Sequence, residues 1–358
     1  MAKKRYKVGA IGTAWAAQSP LPTFASYPDV ELYAICSARL ERAKAAAAQF
    51  GAPLAFDDYR AMVALPEIDI VYIGAPVYLH HPMTVAAAEA GKHILCEKPA
   101  AVNAQQAREM LDAAERHGVA HISAFTMRFF PHTMYIKQLV DEGFLGQVRH
   151  ISIEQWAGWP AGMPPRPWTW LNDAALGGGY LGAMGSHYID LVRYWFGEWA
   201  TATGQLRTWN PDCLDEQGGI KKATADDAFA LLGTLENGAV VTIQLGFGNR
   251  AGSGFRLQIY GSDSSIMVDN DLNVHIAGPH DRALQPVKTP EPVFPEMAAR
   301  SAVPRFGLLV HKLIDAIENG SDQHPNLVDS LRCQEVIDAV HRGNASGLPP
   351  VSQAAAVS

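Results

Sequence analysis

The stretch Gly91-Lys-His-Ile-Leu-Cys-Glu-Lys-Pro99 sets Glu97 and Lys98 side by side after a short apolar run, which Pro99 then stops. Charged groups at the mouth of a buried parallel strand are where α/β enzymes place chemistry. A lysine there can point into a crevice, where loss of water lowers its pKa. The plain alternative is a solvated Glu-Lys turn. A second dense region is Gly177-Gly-Gly-Tyr-Leu-Gly-Ala-Met-Gly-Ser-His-Tyr-Ile-Asp190. Its glycines let backbone approach a ligand or a neighbouring strand. His187 and Asp190 are three apart and share one face of a helix. Imidazole is the group best suited to moving a proton near neutral pH, and Asp190 could orient the ring or bind a substrate hydroxyl. A hydrogen-bonded structural histidine is the competing reading. His80, His81, His132 and His187 lack the spacing of a metal site, so no metal is expected. Trp156, Trp159, Trp168 and Trp170 surround the loop Pro160 to Pro167. They form either a pocket wall able to stack on sugar C–H faces or ordinary core.

The third signal lies at the start. Gly9-Ala-Ile-Gly12-Thr13-Ala14-Trp15-Ala-Ala17 joins an apolar run to a helix. A dinucleotide fingerprint uses G-x-G-x-x-G there, so that backbone N–H groups approach the pyrophosphate. Here the series is Gly12, Ala14, Ala17, which an ordinary strand-turn-helix also fits. After the second apolar run come Ser37, Arg39 and Arg42, in place of the acidic residue that binds the ribose hydroxyls of NAD. A hydroxyl with guanidinium groups suits a 2′-phosphate, which tilts the expectation from NAD toward NADP; both arginines could equally be solvated.

These groups need a scaffold of matching kind. At 358 residues the chain suits two domains. Apolar runs alternate with helical patterns up to about residue 125: Tyr6 to Ile11, Val30 to Cys36, Ile68 to Gly74, His93 to Cys96 and Val119 to Ala124. This pattern predicts a doubly wound parallel sheet over residues 1–125. From 126 to 345 the runs lengthen, with Glu236-Asn237-Gly238 as a hairpin turn, and predict a largely antiparallel sheet. One face must be buried by helices or by another subunit. Two late amphipathic helices, Phe306 to Glu318 and Asn326 to His341, follow. Residues 346–358 are a small polar tail, expected to be flexible.

Composition excludes several classes. The net charge of -7 and the lack of a basic block past the first residues argue against nucleic acid. No apolar run is long enough for a bilayer. Cys36, Cys96, Cys213 and Cys333 are scattered and read as free thiols of a reducing compartment. Lys3-Lys4-Arg5 before Val8 to Ala17 loosely resembles a secretory leader, but Gly9 and Gly12 interrupt it, and a cytoplasmic location is favoured.

With these motifs in view, the chain resembles the glucose–fructose oxidoreductase/inositol dehydrogenase/rhizopine catabolism (Gfo/Idh/MocA) family over roughly residues 5 to 343. The resemblance rests on Gly12, Ala75-Pro76 with His80, Gly91-Lys-His with Glu97-Lys98-Pro99, Arg128-Phe129 with Pro131, the Gly177 to Asp190 run, and Gln334 to Val340. It implies a Rossmann domain followed by an α/β domain with an open, mostly antiparallel sheet that pairs copies into a homodimer or homotetramer. It implies NAD(P)-dependent oxidation or reduction of sugars, polyols and related cyclic compounds. Lys98 and His187 would act at the reacting hydroxyl. Asp190, Arg128, Trp168 and Tyr180 would hold substrate. Gly12, Thr13, Ala14, Trp15, Ser37, Arg39, Arg42, Ala75, Pro76, His80, Glu97 and Lys98 would line the cofactor. One departure is Ala183, where the family often carries an Asp four residues before the histidine. It leaves two other readings open: a redox-neutral enzyme that cleaves or epimerises glycosides, and a non-catalytic NAD(P)-binding regulator.

Overall fold

The computed structural model of the chain describes residues 5–158, 164–290, 297 and 300–346. Lys3-Lys4, Trp159, Pro160 and the tail from Gly347 onward lie outside the described residues.

Strands β1 (Tyr6–Ile11), β2 (Val30–Cys36), β3 (Leu54–Phe56), β4 (Ile70–Ile73), β5 (His93–Cys96) and β6 (His121–Ser123) form one parallel sheet in the order β3-β2-β1-β4-β5-β6. Helices α1 (Pro20–Ser26), α2 (Leu40–Phe50), α3 (Tyr59–Val63), α4 (His80–Glu89) and α5 (Ala104–Arg116) connect them. All four residues of β4 are buried, because a central strand covered on both sides has no polar face. Leu21, Phe24 and Tyr72 pack on one side of the sheet, and Met62, Met83 and Leu111 on the other. Helix ends follow their local signals. Asp58 and Asn103 accept backbone N–H groups at the starts of α3 and α5, and Gly51 closes α2 in the left-handed conformation.

The second half begins with α6 (Pro131–Asp141), β7 (Val148–Gly158), β8 (Arg166–Pro167), α7 (Ser186–Phe196) and β9 (Trp199–Arg207). It continues with β10 (Asp212–Leu214), β11 (Ile220–Lys222), β12 (Ala228–Leu235), β13 (Val240–Asn249) and β14 (Gly254–Gly261). The last strands are β15 (Ser265–Val268), β16 (Val274–Ala277) and β17 (Gln285–Val287). Eight of these form a sheet in the order β17-β16-β15-β14-β7-β13-β12-β9, antiparallel throughout except where β7 pairs with β13. Alternation puts Ile151, Ile153, Ile243, Leu245 and Leu257 in one core with Ile189 and Val192 of α7. On the other face Leu232 and Tyr260 are exposed.

β8, β10 and β11 make a small separate sheet that the sequence pattern did not announce, as it did not announce β3, β16 and β17. Each is only two to four residues long, too short to show a period. Two helices, Pro304–Asn319 and Leu327–Ser346, end the described chain. The first returns to the parallel sheet, where Phe306 meets Phe24 and Tyr72 edge-on. The second lies against β9, α5 and α7 and so ties the two sheets together.

Candidate active site

The strand order places β2 and β3 on one side of β1 and β4 to β6 on the other. Connections therefore leave in opposite directions at the carboxyl ends of β1 and β4, and this opens the crevice where doubly wound sheets bind ligands. The crevice rim is stitched by backbone: Gly12 N–H donates to the Cys36 carbonyl at 2.9 Å and Gly74 N–H to the Ile11 carbonyl at 2.8 Å. Gly12 has φ +106°, and a Cβ there would lie 2.3 Å from the Gly74 carbonyl oxygen. Only glycine allows this close turn, the requirement of a dinucleotide cradle. Thr13 Oγ1 lies 3.4 Å from Ser37 Oγ, joining the ends of β1 and β2. Ala14 and Trp15 are exposed beside them.

Ala75, Pro76 and His80 follow β4. The His80 ring lies between two carbonyls, with Nδ1 3.0 Å from the Pro99 oxygen and Nε2 2.7 Å from the Ala75 oxygen. It clamps the loop after β4 to the loop after β5; burial lowers its pKa. Glu97 is buried at the end of β5, accepts the Tyr72 hydroxyl at 3.2 Å, and is held above the usual carboxylate range by burial.

Lys98 turns the other way. It is half-buried, and its Nζ donates to the Ala183 carbonyl at 2.7 Å, across the boundary between the two halves of the chain. Desolvation pulls its pKa below the ordinary lysine value, against the pull of Glu97. Ala183 belongs to a π-helical turn, Leu181–Gly185, that leads into α7. His187 is 6% exposed at the start of α7, and its Nδ1 has no hydrogen-bond partner. Burial first, and then the charge of Lys98, hold its pKa well below the free-histidine value. The lysine and the histidine, 89 residues apart in sequence, thus share one electrostatic environment. A backbone carbonyl stands at Ala183 where the family often has a carboxylate, and it receives the lysine.

The other expected substrate residues lie differently. Arg128 and Asp190 are both buried and pair through two hydrogen bonds, Nε to Oδ2 at 2.8 Å and Nη2 to Oδ1 at 2.5 Å. Arg128 also donates to Asp329 at 2.9 Å. Their polar atoms are engaged within the protein rather than directed at a ligand. Trp168 is half-buried beneath Lys221, whose Nζ is 3.2 Å from the ring centre. Tyr180 is half-buried against Phe247. Arg42 is an exposed residue of α2. Arg39 is exposed and lies 3.8 Å from Glu216 in the turn between β10 and β11, so the small sheet reaches across to the end of β2. Sequence reasoning missed the Ala183 carbonyl, Glu216 and Asp226, whose Oδ2 accepts the Leu181 N–H at 2.9 Å. The first is backbone chemistry, and the other two are brought in from loops too far along the chain for a spacing rule. Among the described residues no group of three or more His, Cys, Asp or Glu side chains could hold a metal, and no helix is long and apolar enough to cross a membrane.

Residues 6–125 match the oxidoreductase family with an NAD-binding Rossmann fold, and residues 133–267 match the GFO/IDH/MocA C-terminal domain. Levoglucosan dehydrogenase of Pseudarthrobacter phenanthrenivorans is 28% identical over 86% of this chain and 85% of its own. The dTDP-3,4-didehydro-2,6-dideoxy-alpha-D-glucose 3-reductase of Streptomyces violaceoruber is 30% identical over 94% of each. A solved levoglucosan dehydrogenase in complex with NADH and levoglucosan superposes with a TM-score of 0.84 at 26% identity, covering 96% of this chain and 98% of that one. The chain belongs to the Gfo/Idh/MocA family of NAD-binding oxidoreductases.

Proposed function

We propose that this enzyme transfers hydride between NAD(H) and a secondary alcohol of a sugar, polyol or related cyclic compound, with Lys98 and His187 at the reacting hydroxyl. The observation that supports the reading is that the Lys98 ammonium reaches the Ala183 carbonyl, four residues before His187, and its charge acts on the buried His187 ring. The named activities of the relatives, on levoglucosan and on a dTDP-deoxysugar, support a carbohydrate-like substrate.

Gly12 to Trp15, Ala75, Pro76, Glu97 and the Ser37 hydroxyl would hold the cofactor. The nicotinamide held there would supply the hydride acceptor or donor. The chain's own part is proton handling. His187 is neutral near pH 7 because charging it would cost desolvation and repulsion from Lys98. In that neutral form the imidazole can take the hydroxyl proton during oxidation. The Lys98 ammonium, anchored by one of its hydrogens to Ala183, keeps two donors to stabilise negative charge on the substrate oxygen. For the cofactor we infer NAD(H) over NADP(H), replacing the tilt that Arg39 and Arg42 suggest in the sequence. Glu216 occupies the Arg39 guanidinium and would face a 2′-phosphate with like charge.

The eight-stranded sheet's open face, with Leu232 and Tyr260, is the surface we assign to pairing of copies; light scattering tests it. Four buried free thiols suit a reducing compartment such as the cytoplasm. A panel of sugars and polyols, followed by nicotinamide absorbance with NAD and NADP, tests the activity. Stoichiometric NADH formation with a sugar is expected. Product formation without net absorbance change would transfer the chain to a redox-neutral class, and cofactor binding with no turnover across the panel would make it a regulator.

A further inference from the structure

Asp226 stands two residues before β12, and nothing in its sequence surroundings connects it with the glycine run. In the fold its Oδ2 accepts the Leu181 N–H at 2.9 Å, and its backbone carbonyl accepts the Tyr180 N–H at 3.0 Å. Leu181 opens the π-helical turn, and Tyr180 before it supplies no side-chain cap. The helical run into α7 is therefore capped by a carboxylate 45 residues away in sequence. An anionic acceptor at that end satisfies an orphan N–H and complements the positive end of the helix. Gly179 completes the seat: at φ +119° it would place a Cβ 2.1 Å from Asp226 Oδ1. Any side chain there would push the carboxylate out. Burial, opposed by these backbone N–H groups, raises the Asp226 carboxyl to about 6. Its neighbour Asp227 is engaged elsewhere, accepting the Trp209 and Asn210 N–H groups at 2.8 and 2.7 Å.

The capped segment carries both halves of the candidate machinery. Ala183, in the π-turn, holds Lys98 through its carbonyl, and His187 is the second residue of α7. A shift of Leu181 moves both. We propose that Asp226 is a positioning residue: by capping the Leu181–Gly185 turn it keeps the Ala183 carbonyl on Lys98 and His187 in the crevice. This rests on the reading of Lys98 and His187 as the groups that act on the hydroxyl.

The test uses the full chain with Asp226→Ala, Asp226→Asn and Gly179→Ala, the last displacing the carboxylate without removing it. The first readout needs no substrate. Amine labelling of Lys98 with acetic anhydride is followed against pH by peptide mass mapping. Asp226→Ala and Gly179→Ala are expected to change the labelling rate of Lys98 several-fold and leave the other lysines unchanged. Asp226→Asn, which keeps an acceptor oxygen, stays close to wild type. The second readout is turnover: kcat falls on the order of 10²-fold in Asp226→Ala, as for a small misplacement of reacting groups, with NADH affinity retained and with recovery in Asp226→Asn. Lys98 labelling identical to wild type in whichever of Asp226→Ala and Gly179→Ala folds would overturn the proposal. So would parallel loss of melting temperature and NADH binding in all three variants. A wild type that oxidises or reduces no sugar sinks the functional reading alone, since the Lys98 labelling result is read without it.

Discussion

Helix α7 carries two buried polar sites one turn apart, and they have opposite character. At Asp190 every charge is answered. Arg128 spans Asp190 and Asp329, Arg193 reaches Asp329 and Glu198, and His324 Nδ1 lies 2.6 Å from Asp329. At His187 the ring nitrogen Nδ1 has no partner, and the nearby charge, Lys98, opposes its protonation. Buried polar groups are normally satisfied, so a fully paired cluster marks architecture and an unpaired group calls for an explanation other than pairing. Two residues three apart on one helix thus differ in their surroundings, Asp190 paired and His187 unpaired, which is the basis for proposing His187 rather than Asp190 as the group that acts on substrate.

The division is breakable. Lys98→Met should lower kcat by roughly 10² to 10⁴ while NADH affinity, measured by fluorescence, largely survives. Unchanged turnover would remove Lys98 from the chemistry. His187→Asn should lose roughly 10² in kcat with little change in melting temperature, since no hydrogen bond of Nδ1 is lost. Arg128→Met should do the reverse. It strands the buried Asp190 carboxylate and takes one of several partners from Asp329, costs about 3–5 kcal/mol of stability and appears first in thermal denaturation. A larger effect on kcat than on melting would move Arg128 into the substrate site.

The paired cluster should also show a pH signature. Burial pushes the Asp329 carboxyl up, but the His324 hydrogen bond and the Arg128 charge outweigh this and hold it well below the carboxylate range. Its contribution to stability is present above its unfolded pKa of about 4 and is lost as pH falls below it. The hydrogen bond to Asp329 raises His324, whose contribution is complete below about 6.5 and fades as pH rises through the folded value. Melting temperature is therefore expected to peak in mildly acidic solution, and His324→Gln should flatten the decline on the alkaline side. The smallest expected effect is at the cofactor's ribose end. Glu216→Gln frees Arg39 of an exposed ion pair and should raise the NADP-to-NAD ratio of kcat/KM by less than roughly tenfold. A ratio that does not move would detach Glu216 from cofactor choice.

Much of the parallel sheet was legible. Val30 to Cys36 and His93 to Cys96 match their strands residue for residue, because a buried parallel strand is largely apolar and is bounded by turn residues. Gly51 and Asn237-Gly238 also stand where their local signals put them. The small sheet was not legible, because Arg166–Pro167 and Ile220–Lys222 acquire strand geometry only from partners distant in sequence. Arg128 and Asp190 were read as ligand groups because nothing local to either reveals the other, 62 residues away.

Residue order alone was enough to specify the kinds of element and the chemical repertoire: a Rossmann-type start, a long-stranded second half, and a lysine and histidine at turns built from glycine and proline. Those follow from local sterics and from hydrophobic period, which act over a few residues. Which polar groups are quenched and which stay available depended on long-range packing. Desolvation and pairing are properties of the surroundings in space: Ala183, Asp226 and Asp329 acquired their roles only when distant strands and helices came to lie against α7.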